Sequence, residues 1–320
     1  MSGALRLGQA AGETDTGRKR RRNEDAFVCA PPLFAVADGM GGAQAGEVAS
    51  GLAAAALRET QVDASGEERV TELVREANRR VHQRATSDAA ASGMGTTMTV
   101  ALVDPDGSVW FGHVGDSRAY LLRGGKLEQL TDDHSLVAEL VRRGELSPAQ
   151  AEVHPQRSVI TRALGTDPEV TVDTFKLEPE PGDVVLLCSD GLSSFVAGPT
   201  IEQIITRFRH DLRGAAHGLI HAANRAGGDD NITAVLFELV ADGKTEPDER
   251  TREYPTEPDD AVTIHPGDGV RLPAADDTMV MPAVAVQPAE AGPGKRALAL
   301  LVIVVLIALI LLLVWRGLAN

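Results

Sequence analysis

Aromatic residues are scarce: seven Phe, two Trp and two Tyr in 320 residues, or 3%. Binding nucleobases or sugar rings draws on aromatic faces, so this shortage weighs against a nucleotide or sugar pocket. Cysteine is nearly absent as well. Cys29 and Cys188 each lie beside an apolar run, with no CxxC pair and no zinc-type ligand set. They are expected to be small buried residues in a reducing compartment. The N-terminal MSGALRLGQAAGETD has no basic stretch followed by a long apolar one, so no signal peptide is expected. Basic residues are the minority: 31 Lys and Arg stand against 46 Asp and Glu, a net charge of −15 at pH 7. Nucleic acid is therefore not an expected partner. The main basic run, Arg18 to Arg22, is followed at once by Glu24 and Asp25.

Composition divides the chain into three parts. Residues 1–240 alternate apolar runs with turns and read as one globular domain. Residues 241–294 hold twelve Asp or Glu against four Lys or Arg, and eight of the 17 prolines. Such a segment buries too little apolar surface to offset chain entropy and is expected to be a disordered linker. Residues 295–320 contain an unbroken run of Ala, Leu, Val and Ile from Ala297 to Val314. As a helix it would span about 27 Å, close to the hydrocarbon thickness of a bilayer, with Trp315 and Arg316 at the interface. Lys295 and Arg296 before the run outnumber Arg316 after it, which favours a cytoplasmic domain on a single-pass inner-membrane anchor. Thr278, in the acidic ADDTMVMP, is a candidate phosphorylation site in the linker.

Within residues 1–240, strands are expected at 33–37, 97–103, 109–114, 119–123, 126–129, 184–189 and 234–239, and helices at 46–60, 67–87, 135–143, 200–207 and 212–226. The strands cluster rather than alternate with helices. This disfavours a doubly wound parallel sheet and favours an α+β domain on mostly antiparallel sheets.

Several strand-like runs end in Asp next to Gly, Ser or Asn: NED at 23–25, FAVADGMGG at 34–42, GHVGDSRAY at 112–120 and LLCSDGL at 186–192. GGDDNIT at 227–233 precedes a further strand. One Asp-Gly alone is a common turn. Several carboxylates converging at sheet ends would make an all-oxygen site, which selects Mg²⁺ or Mn²⁺ over zinc or copper. Without cations, such a group would cost several kcal/mol per carboxylate in desolvation and repulsion.

With TDTGRKRRRNEDAF (14–27), DGMGGAQAGEVAS (38–50), GMGTTMTV (93–100), HVGDSRAYLLRGGKLEQLTDDHS (113–135), HPQRSVITRALG (154–165), GDVVLLCSDGLS (182–193) and GGDDNIT (227–233), the chain resembles the bacterial members of the protein phosphatase 2C family, the metal-dependent PPM phosphatases. The resemblance runs through most of residues 8–239. It implies a four-layer α/β/β/α sandwich with a two-metal site at one end, and hydrolysis of phosphoserine and phosphothreonine in proteins, including Ser/Thr kinases. It further implies that Asp38 bridges two Mn²⁺ or Mg²⁺ ions, that Gly39 offers its carbonyl to one, and that Asp190 and Asp230 ligate the other. Glu24 and Asp25 would hold metal-bound waters, Asp116 would bind a third, weaker ion, and Arg20 would bind the phosphate. Two adjacent ions lower the pKa of a shared water and supply a bridging hydroxide for in-line attack.

Many eukaryotic relatives carry a histidine, proposed as general acid, where this chain has Met40, and a thioether donates no proton. A metal-bound water is the first candidate for that role, and His134 or His154 the second. Residues 131–164 resemble the family's variable flap and read as two short helices joined at Gly144. Two other functions stand beside the phosphatase. A phosphoprotein-binding pseudophosphatase would be marked by loss of a metal aspartate, and a small-molecule phosphohydrolase by a pocket for its base or sugar.

Overall fold

The computed structural model describes residues 5–41 and 45–241. The polar segment with Thr278 and the apolar run 297–314 lie outside the described residues, and among those described no helix is long and apolar enough to cross a membrane.

The chain opens with three strands, β1 (Leu5–Asp15), β2 (Asp25–Ala30) and β3 (Leu33–Met40), then two long helices, α1 (Ala45–Glu59) and α2 (Gly66–Ser87). A short strand β4 (Gly95–Thr96) leads into two hairpins, β5 (Met98–Val103) with β6 (Val109–Val114) and β7 (Arg118–Arg123) with β8 (Lys126–Gln129), which lie in different sheets. Two short helices follow, α3 (Leu136–Arg142) and α4 (Pro148–Glu152), then β9 (Asp173–Leu177) and β10 (Val184–Cys188). The one-turn α5 (Asp190–Ser193) and the helices α6 (Gly198–Arg207) and α7 (Leu212–Ala226) precede the last strand, β11 (Ile232–Ala241).

Two antiparallel sheets result. One runs β1-β11-β10-β7-β8, the other β2-β3-β5-β6-β9, with β4 paired to β3. Strand β10 shows how the layers are held. All five of its residues are buried because successive side chains face opposite ways. Val185 and Leu187 enter the core between the sheets with Phe34, Phe111 and Phe237. Val184, Leu186 and Cys188 face the core beneath α6 and α7. On the other side, α1 and α2 cover the second sheet, with Ala49, Ala53, Val74 and Ala77 packed beside Ala35, Ala37 and Val100. A sheet covered on both faces gives continuous apolar runs rather than alternation, which is why these strands stand out in the sequence.

The expected α+β class and antiparallel layers are observed. Strands β6 and β8 and helix α7 lie at the expected residues, and α3 and α4 flank Gly144 as the flap segment implied. Strands β1, β2 and β9 were not expected. All three are sheet edges with half-exposed faces and mixed polarity, so their patterns carry little apolar signal.

Phe34 and Phe237 stack across the two sheets with ring centroids 4.2 Å apart, both fully buried. Phe237→Ala should lower unfolding free energy by about 3–5 kcal/mol, and Phe237→Leu by clearly less. Urea unfolding of the purified domain checks this; equal, small losses would place the inter-sheet anchor elsewhere.

Candidate metal and phosphate site

The carboxylates are delivered by strand ends. Antiparallel pairing of β2 and β3 sets Asp25 opposite Asp38. The backbone of Asp38 is locked: its N–H donates to Thr97 Oγ1 at 2.9 Å, and its carbonyl accepts from Thr97 N and Thr96 Oγ1, each at 2.9 Å. Gly39 follows in a cradle that admits no side chain. A Cβ there would lie 2.1 Å from Gly46 O and 2.5 Å from Glu24 O, and the Gly39 N–H donates to Glu24 O at 3.0 Å. Asp190 follows β10, Asp116 sits in the turn between β6 and β7, and Asp230 lies between α7 and β11.

These groups feel one another. Burial, then the charges of Asp25, Asp190, Asp116 and Asp230, push the Asp38 carboxyl well above the usual carboxylate range. Burial raises Asp190 too, helped by the charge of Asp230 and partly opposed by its interaction with Asp38. Asp116 is raised to about 7 by burial and by Asp190. Asp25 is also raised to about 7 by burial, although its Oδ2 accepts from Ser189 Oγ at 2.8 Å and Thr233 Oγ1 at 2.6 Å. Its other oxygen, Oδ1, is buried with no hydrogen-bond partner. Burial raises Glu24 as well, with Arg20 opposing.

An orphaned carboxylate oxygen, a glycine carbonyl in a tight cradle and mutually repelling oxygens fit hard divalent cations. Among the described residues no three His, Cys, Asp or Glu side chains are already closed around one point at ligand distance. Asp230 Oδ2 instead accepts from Arg20 Nη2 at 2.7 Å.

The basic run forms a loop at the rim. Arg20 is its member that reaches Asp230, whereas Lys19 pairs with Asp229 at 2.6 Å. Arg20 and Asp230, the residues that the resemblance assigned to phosphate and metal, are thus in contact with each other. Asn231, which the sequence analysis passed over, ties the loop down. Its Nδ2 donates to Thr16 O at 2.9 Å and Arg22 O at 2.8 Å, and its Oδ1 accepts from Glu24 N at 2.8 Å. Ser189 and Thr233, the hydroxyls on Asp25, were also missed. Their only sequence signal is position, beside Asp190 and two residues after Asn231.

His134 and His154 are not placed as proton donors. His134 is buried, accepts from Gly115 N at Nδ1 (3.0 Å), and donates through Nε2 to Asp173 Oδ2 (3.0 Å). Nδ1 thereby anchors the turn that carries Asp116, Nε2 ties the ring to the start of β9, and burial lowers its basicity. His154 Nδ1 accepts from Gln156 N at 3.2 Å within its own loop. Met40 lies against Gly95, where a Cβ would come within 2.8 Å of its Cε. A surface hollow with Glu68, Asp104, Trp110 and Lys176 in its wall lies at the far end of β5 and β6 and shares no residue with this site.

The family profile described as Protein phosphatase 2C matches residues 17–222. The serine/threonine phosphatase stp of Listeria welshimeri is 42% identical over 237 residues, 70% of this chain and 93% of that protein. The serine/threonine protein phosphatase PstP of Mycobacterium tuberculosis is 42% identical over 233 residues, which are 72% of this chain and 45% of that protein. The crystal structure of Mycobacterium tuberculosis PstP/Ppp aligns with a TM-score of 0.68 at 40% identity, over 74% of this chain and 99% of that one. The PstP catalytic domain in complex with two manganese ions aligns with a TM-score of 0.65 at 38% identity, over 74% and 99%. Sequence profile, relatives and fold agree with the acidic strand ends, and the chain belongs to the protein phosphatase 2C family, in its bacterial type.

Proposed function

We propose that the chain hydrolyses phosphoserine and phosphothreonine in proteins, with Mn²⁺ or Mg²⁺, at the acidic end of the sandwich. The carrying observation is the gathering of Asp25, Asp38, Asp116 and Asp190, each raised by burial and by its neighbours' charge, beside Arg20 and Asp230. Relatives named as serine/threonine phosphatases, and a manganese-bound neighbour, support it. Asp38, Gly39, Asp190 and Asp230 would hold two ions, Asp116 a third, and Glu24 and Asp25 the waters around them. When bound, such ions supply a water acidic enough to attack at neutral pH and positive charge against the phosphoryl oxygens.

The protein's own groups do the rest. Arg20 offers a forked, charge-assisted contact to the phosphate, in a loop whose position Asn231 fixes. Ser189 and Thr233 hold Asp25 Oδ2, which leaves Oδ1 without a hydrogen-bond partner among the described residues. Thr96 and Thr97 fix the Asp38 backbone. No side chain here takes the place of a phosphoenzyme nucleophile, since Ser189 is spent on Asp25 and Cys188 is buried with its thiol pushed up to about 12. The pseudophosphatase alternative is disfavoured because Asp38, Asp190 and Asp230 are all present. The nucleotide alternative is disfavoured because none of the site residues is aromatic.

From the sequence we also propose a place of action. The run 297–314 would anchor the chain in the inner membrane, with the domain in the cytoplasm near membrane-bound kinases, whose phosphorylation it would reverse.

The first test is a panel of phosphopeptides and nucleotides with Mn²⁺: hydrolysis should favour the peptides and stop with chelator. The raised carboxylates bind more protons folded than unfolded between about pH 4 and about pH 7, so the chelated protein should lose stability as pH rises through that window. Mn²⁺ should restore it. Asp38→Asn should abolish the Mn²⁺-induced Tm shift and lower kcat by orders of magnitude while remaining folded; near-native turnover would sink the assignment.

Arg20→Ala should lose about 2–3 kcal/mol of transition-state stabilisation on p-nitrophenyl phosphate, and Arg18→Ala almost none. Equal, small effects would show that another residue grips the phosphate.

Truncation after Val240 should give an active enzyme that leaves the membrane fraction. Protease added outside intact spheroplasts should spare the domain of the full chain, and digestion there would reverse the topology.

A further inference from the structure

The basic loop is larger than the chemistry needs. A chain of net charge −15 places five cations in succession at 18–22, and all five are exposed. Their backbone is fixed. Arg18 N and Lys19 N donate to Gly228 O at 2.7 and 3.2 Å, and Asn231 Nδ2 holds Thr16 O and Arg22 O. Gly17, at φ +78°, lies so close that a Cβ would fall 2.1 Å from Asp230 O. Lys19, Arg20 and Arg22 face Asp229, Asp230 and Glu47 at 2.6, 2.7 and 3.7 Å. Arg18 and Arg21 have no carboxylate partner among the described residues.

Solvated loop charge is the plain alternative, but it does not account for the placement. Two exposed cations with no carboxylate partner among the described residues flank Arg20 on a chain of net charge −15, which concentrates positive charge at the rim of the acidic site. Consecutive Cα atoms are about 3.8 Å apart, so Arg18 and Arg21 stand within about 8 Å of Arg20 along the backbone. An extended peptide advances about 3.3 Å per residue, so these guanidinium groups can reach side chains one to three residues from the one being dephosphorylated.

We propose that Arg18 and Arg21 are specificity-determining residues, which favour substrates bearing an anionic side chain, acidic or phosphorylated, within about three residues of the scissile phosphoester. The inference rests on the phosphatase reading and deepens it. The two arginines act on KM through flanking charge and leave the phosphoryl-transfer step to Arg20 and the carboxylates.

The experiment compares three phosphothreonine peptides, with neutral flanks, with glutamate flanks and with a second phosphothreonine, alongside p-nitrophenyl phosphate. Full-length protein in detergent should show a KM about five-fold lower for one or both anionic peptides, fading as salt rises from about 50 to about 500 mM. The two anionic arms tell carboxylate from phosphate recognition. Arg18→Ala/Arg21→Ala should erase the preference while kcat and p-nitrophenyl phosphate turnover stay unchanged. A preference that survives in the double variant, or is absent from the native protein, overturns the proposal. So does an equal loss on p-nitrophenyl phosphate. Loss of binding to phosphatidylglycerol vesicles with no change in peptide preference would assign the loop to a membrane instead. Fluorescence anisotropy of labelled peptides separates the two layers: preferential binding without turnover keeps the anion rim and overturns the phosphatase reading.

Discussion

Carboxylates brought to one end of a two-sheet sandwich repel one another, and most of what surrounds them makes that crowding tolerable. Asp25 is bracketed by two hydroxyls, the Asp38 backbone is fixed by Thr96 and Thr97, and Asp230 is tied to Arg20. Each of these contacts is local, but the groups come from β2, β3, the turn after β6, the end of β10 and the approach to β11. The rest of the fold holds those strand ends together against their own charge. That explains why the inter-sheet core is so fully closed, with Phe34, Phe111 and Phe237 all inaccessible to solvent. A looser sandwich would let the acidic end splay apart.

The same crowding makes the site a reservoir of affinity for cations. Buried, mutually repelling oxygens gain more from a divalent ion than solvated ones do, because binding removes repulsion that the fold already bears. Stability and ion binding are therefore two faces of one term, which is why pH acts on both.

The buried strands and the acidic strand ends were legible in the sequence because both leave local marks: a run of Val and Leu, then Asp-Gly. Strand β10 with Asp190 is the clearest case. Edge strands β1, β2 and β9 were not legible, since half-exposed residues of mixed polarity resemble loop. The acids of the site were found and their supports were not. Asn231, Ser189 and Thr233 act through hydrogen bonds to residues about 40 to 210 positions away, and nothing in a local pattern reports such a partner. His134 illustrates the opposite error. A histidine near a catalytic block suggests chemistry, but one of its nitrogens holds the Gly115 turn and the other the start of β9.

Strand β1 pairs with β11 along nearly its whole length, from Leu5 opposite Ala241 to Asp15 opposite Ile232. The first strand made is thus closed by the last, and the loop bearing Arg20 is pinned by Asn231, more than 200 residues later. A ribosome that has released all but the final strand of the domain has made a chain with an unpaired edge and no phosphate clamp. The two ends of the domain are thus one structural unit: without β11 strand β1 has no partner, and without Asn231 the Arg20 loop loses its hydrogen bonds to Thr16 O and Arg22 O.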